Sequence, residues 1–290
     1  MNLGDCIIMN IKVGTRKNPL ALKQTEIVID SIKHKIPELN FNIVPIGTLD
    51  DKILNKPLVE SNVEGVLVSE FEKLIVNGSI DLAVHDAKDM PLKLANSLDI
   101  VYVSKRANPK DVLITLKDIT YFEDDAFTIG ANSTRRKFQL SKLYPKAEFK
   151  DITGNIETRL DKLQNREYNA IVLASADLER LNITEENFNF RYLTPEECLC
   201  AGCQGIITIE GLKNSPIARM LSSTEDPTTR MTFQIERGIM KIIDNDCIGV
   251  HSNIIGDTIY ADILFPNCTR RKFKSHSKED LFRQIEEYLY

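Results

Sequence analysis

The sequence predicts an α/β protein of two similar lobes with a small third domain, and three observations carry that expectation. The hydrophobic period switches repeatedly between two and 3.6 residues, so strands and helices alternate along the chain. The alternation is interrupted at the polar stretch KRANPKD (105–111), read as a linker, and then starts again. The length of 290 residues, at roughly 150 per domain, makes about two domains and leaves room for a small third. With 42% hydrophobic and 27% charged residues, the composition excludes a disordered or fibrous chain. No apolar run approaches the roughly 20 residues of a membrane helix. A net charge of −5, from 37 Lys+Arg and 42 Asp+Glu, argues against a nucleic-acid-binding surface but leaves room for a local cationic cleft.

The elements follow in order. Ile11 and Val13 alternate with polar neighbours as a strand. After GTRKN, Asn18 reads as an N-cap and Pro19 as the first residue of a helix with Ala21, Val28 and Ile32 on one face. Phe41–Ile46 is a second strand, Gly65–Val76 a loop running into a helix, and Ile80–Val84 a third strand. Beyond the linker come a strand at Phe127–Gly130, a helix at Thr134–Leu143, a strand at Phe149–Ile152, a helix after GN and a strand at Ala170–Ala174. A polar turn at Glu225–Pro227 leads to a helix over 230–243, a loop at DNDCIG, strands in 254–265 and a last helix with Leu281, Ile285, Tyr288 and Leu289 on one face. Ser277 with Asp280 resembles a capping box for it. The opening MNLGDCIIMN has no secretory pattern, so residues 1–8 are expected to be a loose extension and the protein cytoplasmic, with its six cysteines as thiols.

Ligands in α/β sheets gather beyond strand C-terminal ends, and the chemistry-bearing residues cluster at such ends. Arg135 and Arg136 open a helix, where cations oppose the macrodipole unless an anion compensates. With the free helix N–H groups, two guanidinium forks suit a carboxylate or phosphate; the alternative is two solvated arginines. Arg16 stands similarly before the first helix. In HDAKDMP, Asp89 beside Lys88 reads either as an acid/base group or as a cap of the turn before Pro91, and His85 as a packed histidine. CLCAGC (Cys198, Cys200, Cys203) lacks a fourth ligand for a zinc or iron–sulfur site. Cys247 lies between acidic neighbours that disfavour a thiolate.

Together VGTRKNPLALKQT, IDLAVHDAKDMP, GANSTRRKFQL, GNIETRLDKL, IVLASADLERL, CQGIITIE and DNDC resemble, in order and spacing, the hydroxymethylbilane synthase family, also called porphobilinogen deaminase. The resemblance spans nearly the whole chain from Met9. It implies two periplasmic-binding-protein-like α/β lobes around a cleft and a small C-terminal α+β domain: residues 9–104 with 204–222, residues 108–200, and residues 225–290. It implies a transferase, acting as a monomer without nucleic-acid or membrane partner, that condenses four porphobilinogen molecules into hydroxymethylbilane for haem biosynthesis. Carried over by position, Cys247 would bear a covalent dipyrromethane cofactor and Asp89, with Lys88, would be catalytic. Lys88, Asp89, Ser133, Arg135, Arg136 and Arg159 would hold the cofactor; Arg16, Asn18, Arg180 and Gln204 would hold substrate.

The pattern is departed from at Thr153, where the family has an arginine, at Asp86 and Asn18 in place of serines, at Glu64 and Leu67 in place of lysine and phenylalanine, and at Cys203 in place of glycine. Loss of one cation and gain of two carboxylates predicts weaker polyanion binding, by about 1–3 kcal/mol per buried charge affected. Two other functions fit parts of the sequence. A two-lobed polycarboxylate-binding protein without chemistry would carry no covalent group on Cys247. A thiol or metal sensor built on CLCAGC would bind metal stoichiometrically.

Overall fold

A computed structural model of the chain describes residues 10–47, 63–119, 127–244 and 249–290. Two compact units contain them: one within Met1–Ile53, Leu58–Lys105 and Ile207–Asp226, the other within Arg106–Ile206 and Pro227–Tyr290.

The first unit is a five-stranded mixed sheet. Strand β1 (Asn10–Arg16) buries Ile11 and Val13, as their alternation requires. Asn18 Oδ1 accepts the Ala21 N–H at 2.9 Å and Pro19 opens helix α1 (Pro19–Lys35), which turns Ala21, Val28 and Ile32 inward. Strand β2 (Asn40–Ile46) pairs parallel to β1 at the sheet edge, where Pro45 costs no central ladder bond. Helix α2 (Val63–Val76) begins where a loop was expected. Strand β3 (Leu82–Asp86), two residues later than expected, runs parallel to β1 and ends in a 3-10 turn, Ala87–Asp89. Strand β4 (Leu98–Val103) follows.

The second unit starts within the expected linker, and the linker is not loose. Asp111, its last residue, is fully buried and begins strand β5 (Asp111–Leu116). Strands β6 (Thr128–Gly130), β7 (Glu148–Lys150) and β8 (Ala170–Ala174) are mutually parallel in the order β7-β6-β8, with helices α3 (Thr134–Leu143), α4 (Ile156–Gln164) and α5 (Ser175–Arg180) after them. β5 runs antiparallel to β8 and to β9 (Phe188–Tyr192), giving the order β7-β6-β8-β5-β9. Val112 and Ile114 face one core and Leu113 the other, so VLITL is an unbroken apolar run. β10 (Ile207–Leu212) then enters the first unit's sheet antiparallel between β3 and β4, and helix α6 (Pro216–Ser222) packs on β4.

Helix α7 starts at the turn proline (Pro227–Ile243) and, with α8 (Lys278–Leu289), packs on an antiparallel sheet of β11 (Gly249–Ile255), β12 (Thr258–Leu264) and β13 (Arg270–Ser275). Gly238 lets the two helices meet, since a Cβ there would run into the Phe282 ring. Ser277 Oγ accepts the Asp280 N–H at 3.2 Å, the expected cap. Leu281 and Ile285 are buried, but Tyr288 and Leu289 are exposed; the Tyr288 ring lies tilted against Phe265, with centroids 5.0 Å apart.

Glu236 of α7 ties this sheet to the rest of its unit. Its fully buried carboxylate accepts both fork nitrogens of Arg106, at 2.6 and 2.8 Å, together with the backbone N–H of Cys203 and of Ser252. Burial alone would raise its pKa, but Arg106 and these donors hold it below the usual range. Arg106→Met strands that charge, and urea unfolding should show a loss of about 3–5 kcal/mol. A loss under about 1 kcal/mol would mean that Glu236 is neutralised by another route.

Candidate active site

In the first unit the expected site residues lie beyond the C-terminal ends of the parallel strands β1 and β3. The buried Thr15 hydroxyl donates to Ala21 O at 3.1 Å and receives Thr25 Oγ1 at 2.8 Å, which fastens the end of β1 to α1 and sets where Arg16 leaves the sheet. Asn18 spends its carbonyl oxygen on the α1 cap. After β3, Asp86 accepts the Lys88 N–H at 3.4 Å, and its Oδ2 lies 3.2 Å from Lys88 Nζ and 3.1 Å from Gln24 Nε2. Asp86 therefore caps this turn at its start. The substitution that looked like an added repulsive charge instead orients Lys88. Asp89 is half-buried in the same turn. His85 is packed, its ring edge-on to Phe71 and its Nε2 3.4 Å from the fully buried Glu210 carboxylate.

In the second unit the anion demanded by two arginines at a helix start is part of the protein. Asp111 Oδ2 accepts Arg135 Nη1 at 2.8 Å, while Oδ1 accepts Arg136 Nη2 at 2.7 Å and Nε at 3.2 Å. Arg135 also donates to Leu199 O, and Arg136 to Val172 O at 3.2 Å. Burial pushes the Asp111 carboxyl up, yet the two guanidinium groups hold it well below the ordinary range. Gln204, 1% exposed, donates to Asp111 Oδ1 at 3.0 Å and Pro109 O at 2.7 Å; it grips the acid rather than facing solvent. Arg180 is similarly buried, donating to Asp177 Oδ1 at 3.2 Å and Gly205 O at 2.8 Å. Ser133 caps α3 through the Arg136 N–H at 3.4 Å.

Arg159 differs. Its Nε donates to Gly154 O at 2.8 Å, and it forms no ion pair among the described residues. Burial lowers its pKa, and Arg136 lowers it further, with only Asp177 opposing. An arginine desolvated beside another cation is unfavourable until an anion joins it. Thr153, expected to leave this corner short of a cation, receives Lys162 Nζ on its carbonyl at 3.1 Å and its hydroxyl at 3.3 Å. The loops carrying these groups are joined, for Asn132 Oδ1 accepts the Ile152 N–H at 2.6 Å and Lys150 O the Ala131 N–H at 2.9 Å.

The buried acids Asp111, Asp177 and Glu236 were missed by motif reading. A signal existed for Asp111, an acid directly before the apolar run VLITL. The CLCAGC thiols are buried and divergent: Cys198 donates toward Asp111, Cys200 to Val250 O and Cys203 to Phe233 O. Burial, with Asp111 or Glu236 nearby, pushes Cys198 and Cys200 up to about 12 and Cys203 well above the usual thiol value, so they are poor nucleophiles. Among the described residues no three of His, Cys, Asp and Glu group as a metal site. Cys203, where a glycine was expected, takes φ +63°, a glycine-like conformation. Cys247 lies outside the described residues, as do the side chains of Glu64 and Leu67.

Residues 11–219 match the family model described as porphobilinogen deaminase, dipyromethane cofactor binding domain. The chain is 38% identical over 239 residues to the porphobilinogen deaminase of Acetivibrio thermocellus, covering 82% of this chain and 80% of that one. It is 37% identical to the Clostridioides difficile protein of the same name (91% and 89%) and 34% to that of Rickettsia canadensis (93% and 91%).

The Asp111 geometry fixes a pH response. Its folded pKa is depressed, so its stabilisation is present above the unfolded value of about 4 and is lost as pH falls toward the folded one. Asp111→Asn should cost about 3–5 kcal/mol at pH 7. It should also flatten the acid limb of a plot of urea midpoint against pH; an unchanged acid limb would assign that limb to other carboxylates.

Proposed function

The chain belongs to the porphobilinogen deaminase family, and from that premise we propose that it is a transferase joining four porphobilinogen molecules head to tail into hydroxymethylbilane, with uptake of water and release of four ammonia molecules, in haem biosynthesis. The observation that carries this reading is Arg159, a half-buried guanidinium without a carboxylate partner in the described residues, its charge disfavoured by burial and by Arg136. Porphobilinogen brings two carboxylates, and each added unit repeats them, so the ligand supplies the anions this arrangement calls for.

The donor set fits a polycarboxylate cofactor. Dipyrromethane, bound through Cys247, would supply the pyrrole carbon from which the chain grows. Ser133, Arg135, Arg136 and Arg159, with Lys88 and Asp89, would hold it; Arg16, Asn18, Arg180 and Gln204 would serve substrate, the last two by holding their neighbours in place. Arg135 and Arg136 reach any ligand already oriented by Asp111, which lowers the cost of ordering them. Lys88, steadied by Asp86, pairs a substrate carboxylate. Asp89 offsets the positive charge that develops on the substrate pyrrole as ammonia leaves, and accepts the pyrrole carbon's proton as aromaticity returns.

The division into residues 9–104 with 204–222, 108–200 and 225–290 belongs to this proposal and is supported by the three separate sheets. So does a monomer in the cytoplasm. The free thiols Cys198, Cys200, Cys203 and Cys268 suit a reducing compartment.

Intact-mass spectrometry of the purified protein should find the bare chain plus one dipyrromethane, an increment that Cys247→Ala abolishes. A bare-chain mass for wild type leaves the polycarboxylate-binding alternative. Asp89→Asn should keep fold and cofactor while losing at least about 100-fold in turnover, since an amide supplies neither the charge nor the base. Near-normal porphobilinogen consumption would take Asp89 out of the chemistry.

A further inference from the structure

We infer that Lys162 is a carboxylate-binding residue, taking with the remaining donors of Arg159 one carboxylate of a porphobilinogen unit as the chain grows beyond the dipyrromethane; this rests on the function proposed above. The loop between β7 and α4 turns at Gly154, whose φ of +107° belongs to glycine and where a Cβ would also press on Thr158 at 2.7 Å. Asn155 then caps α4, its Oδ1 accepting the Thr158 N–H at 2.8 Å. The turn brings two successive carbonyls under one face of the helix: Gly154 O takes Arg159 Nε, and Thr153 O takes Lys162 Nζ. Arg159 and Lys162 are i and i+3, neighbours on that face.

Both cations are thus held over one short loop by neutral oxygens. Neither forms an ion pair among the described residues. The nearby acid of the same loop, Asp151, is taken by Lys137 at 2.6 Å. Two of the three Lys162 protons go to Thr153, leaving one donor, and all four Nη protons of Arg159 have no partner among the described residues. Like charges on adjacent turns repel, and an anion accepting from both relieves the repulsion. A carboxylate has the two oxygens required. The Thr153 oxygens fix where the flexible lysine points, so the site is ordered before the ligand arrives.

Lysine acetylation with N-acetoxysuccinimide, read by peptide mass spectrometry on the holoenzyme, tests this directly. Excess porphobilinogen should protect Lys162 severalfold, with Lys241 as an unaffected reference. Lys162→Met should raise KM for porphobilinogen about tenfold, keep kcat within about twofold and flatten the salt dependence of KM. Lys162→Arg should restore most of the affinity. If Lys162 acetylates equally with and without porphobilinogen, or if the Met variant keeps the wild-type KM and salt dependence, the assignment is overturned while the proposed function stands. A wild-type protein that neither carries dipyrromethane nor consumes porphobilinogen overturns both. The acetylation arm uses wild type and decides the matter even if the variants misfold.

Discussion

The Asp111 carboxylate, buried between Arg135 and Arg136, is the interaction on which the second unit's arrangement depends. It stands at the first residue of β5, takes both arginines from the start of α3 and receives Gln204 from a segment far along the chain. Cys198 and Leu199 enter through the same guanidinium. A buried ion pair is weak evidence for net stability, because desolvation consumes most of the Coulomb gain; its effect is to allow one arrangement and penalise others. One negative charge against two positive ones also leaves the group with a surplus of +1, fixed in direction.

Elsewhere the same device recurs with different results. Glu236 neutralises Arg106 and collects two backbone N–H groups, and Asp177 engages Arg180. Where an internal acid is close, it fixes the direction of the cation: Arg106 and Arg180 are held inside the fold, while Arg135, Arg136 and Lys88 are oriented by Asp111 and Asp86. Arg159 and Lys162 have neutral oxygens instead, so their charge stays available. A chain of net charge −5 can therefore present concentrated positive potential, because its acids are distributed selectively among its arginines. The buried thiols are also held inside the fold: desolvation keeps them protonated beside Asp111 and Glu236.

Two substitutions that resemble losses are absorbed locally. Asp86 becomes the cap of the turn holding Lys88 and Asp89 and pairs Lys88 itself. Thr153 receives the Lys162 ammonium, so a cation reaches the corner from nearly two turns into α4. At Thr153 a cation is supplied from nine residues along the chain, and at Asp86 the added carboxylate is paired by Lys88 on the spot. Counting charged positions along a sequence does not show how each charge is partnered.

The sequence by itself determined the alternation of strands and helices, the caps Asn18 and Ser277 and the strand Ala170–Ala174, because period and capping chemistry are local. It also held the ordered motifs that mark the family and put Arg16, Lys88, Arg135 and Arg159 near strand ends or helix starts. Tertiary structure alone decided which of those cations are spent. Asp111 is 24 residues from Arg135, and Gln204 is 93 from Asp111; no local pattern announces such pairs. The apparent linker failed for the same reason, since Arg106 finds its carboxylate 130 residues away, and a polar stretch reads as solvated until the partner that buries it is known. A charge's fate depends on its nearest opposite charge in space, and only the folded chain sets that distance.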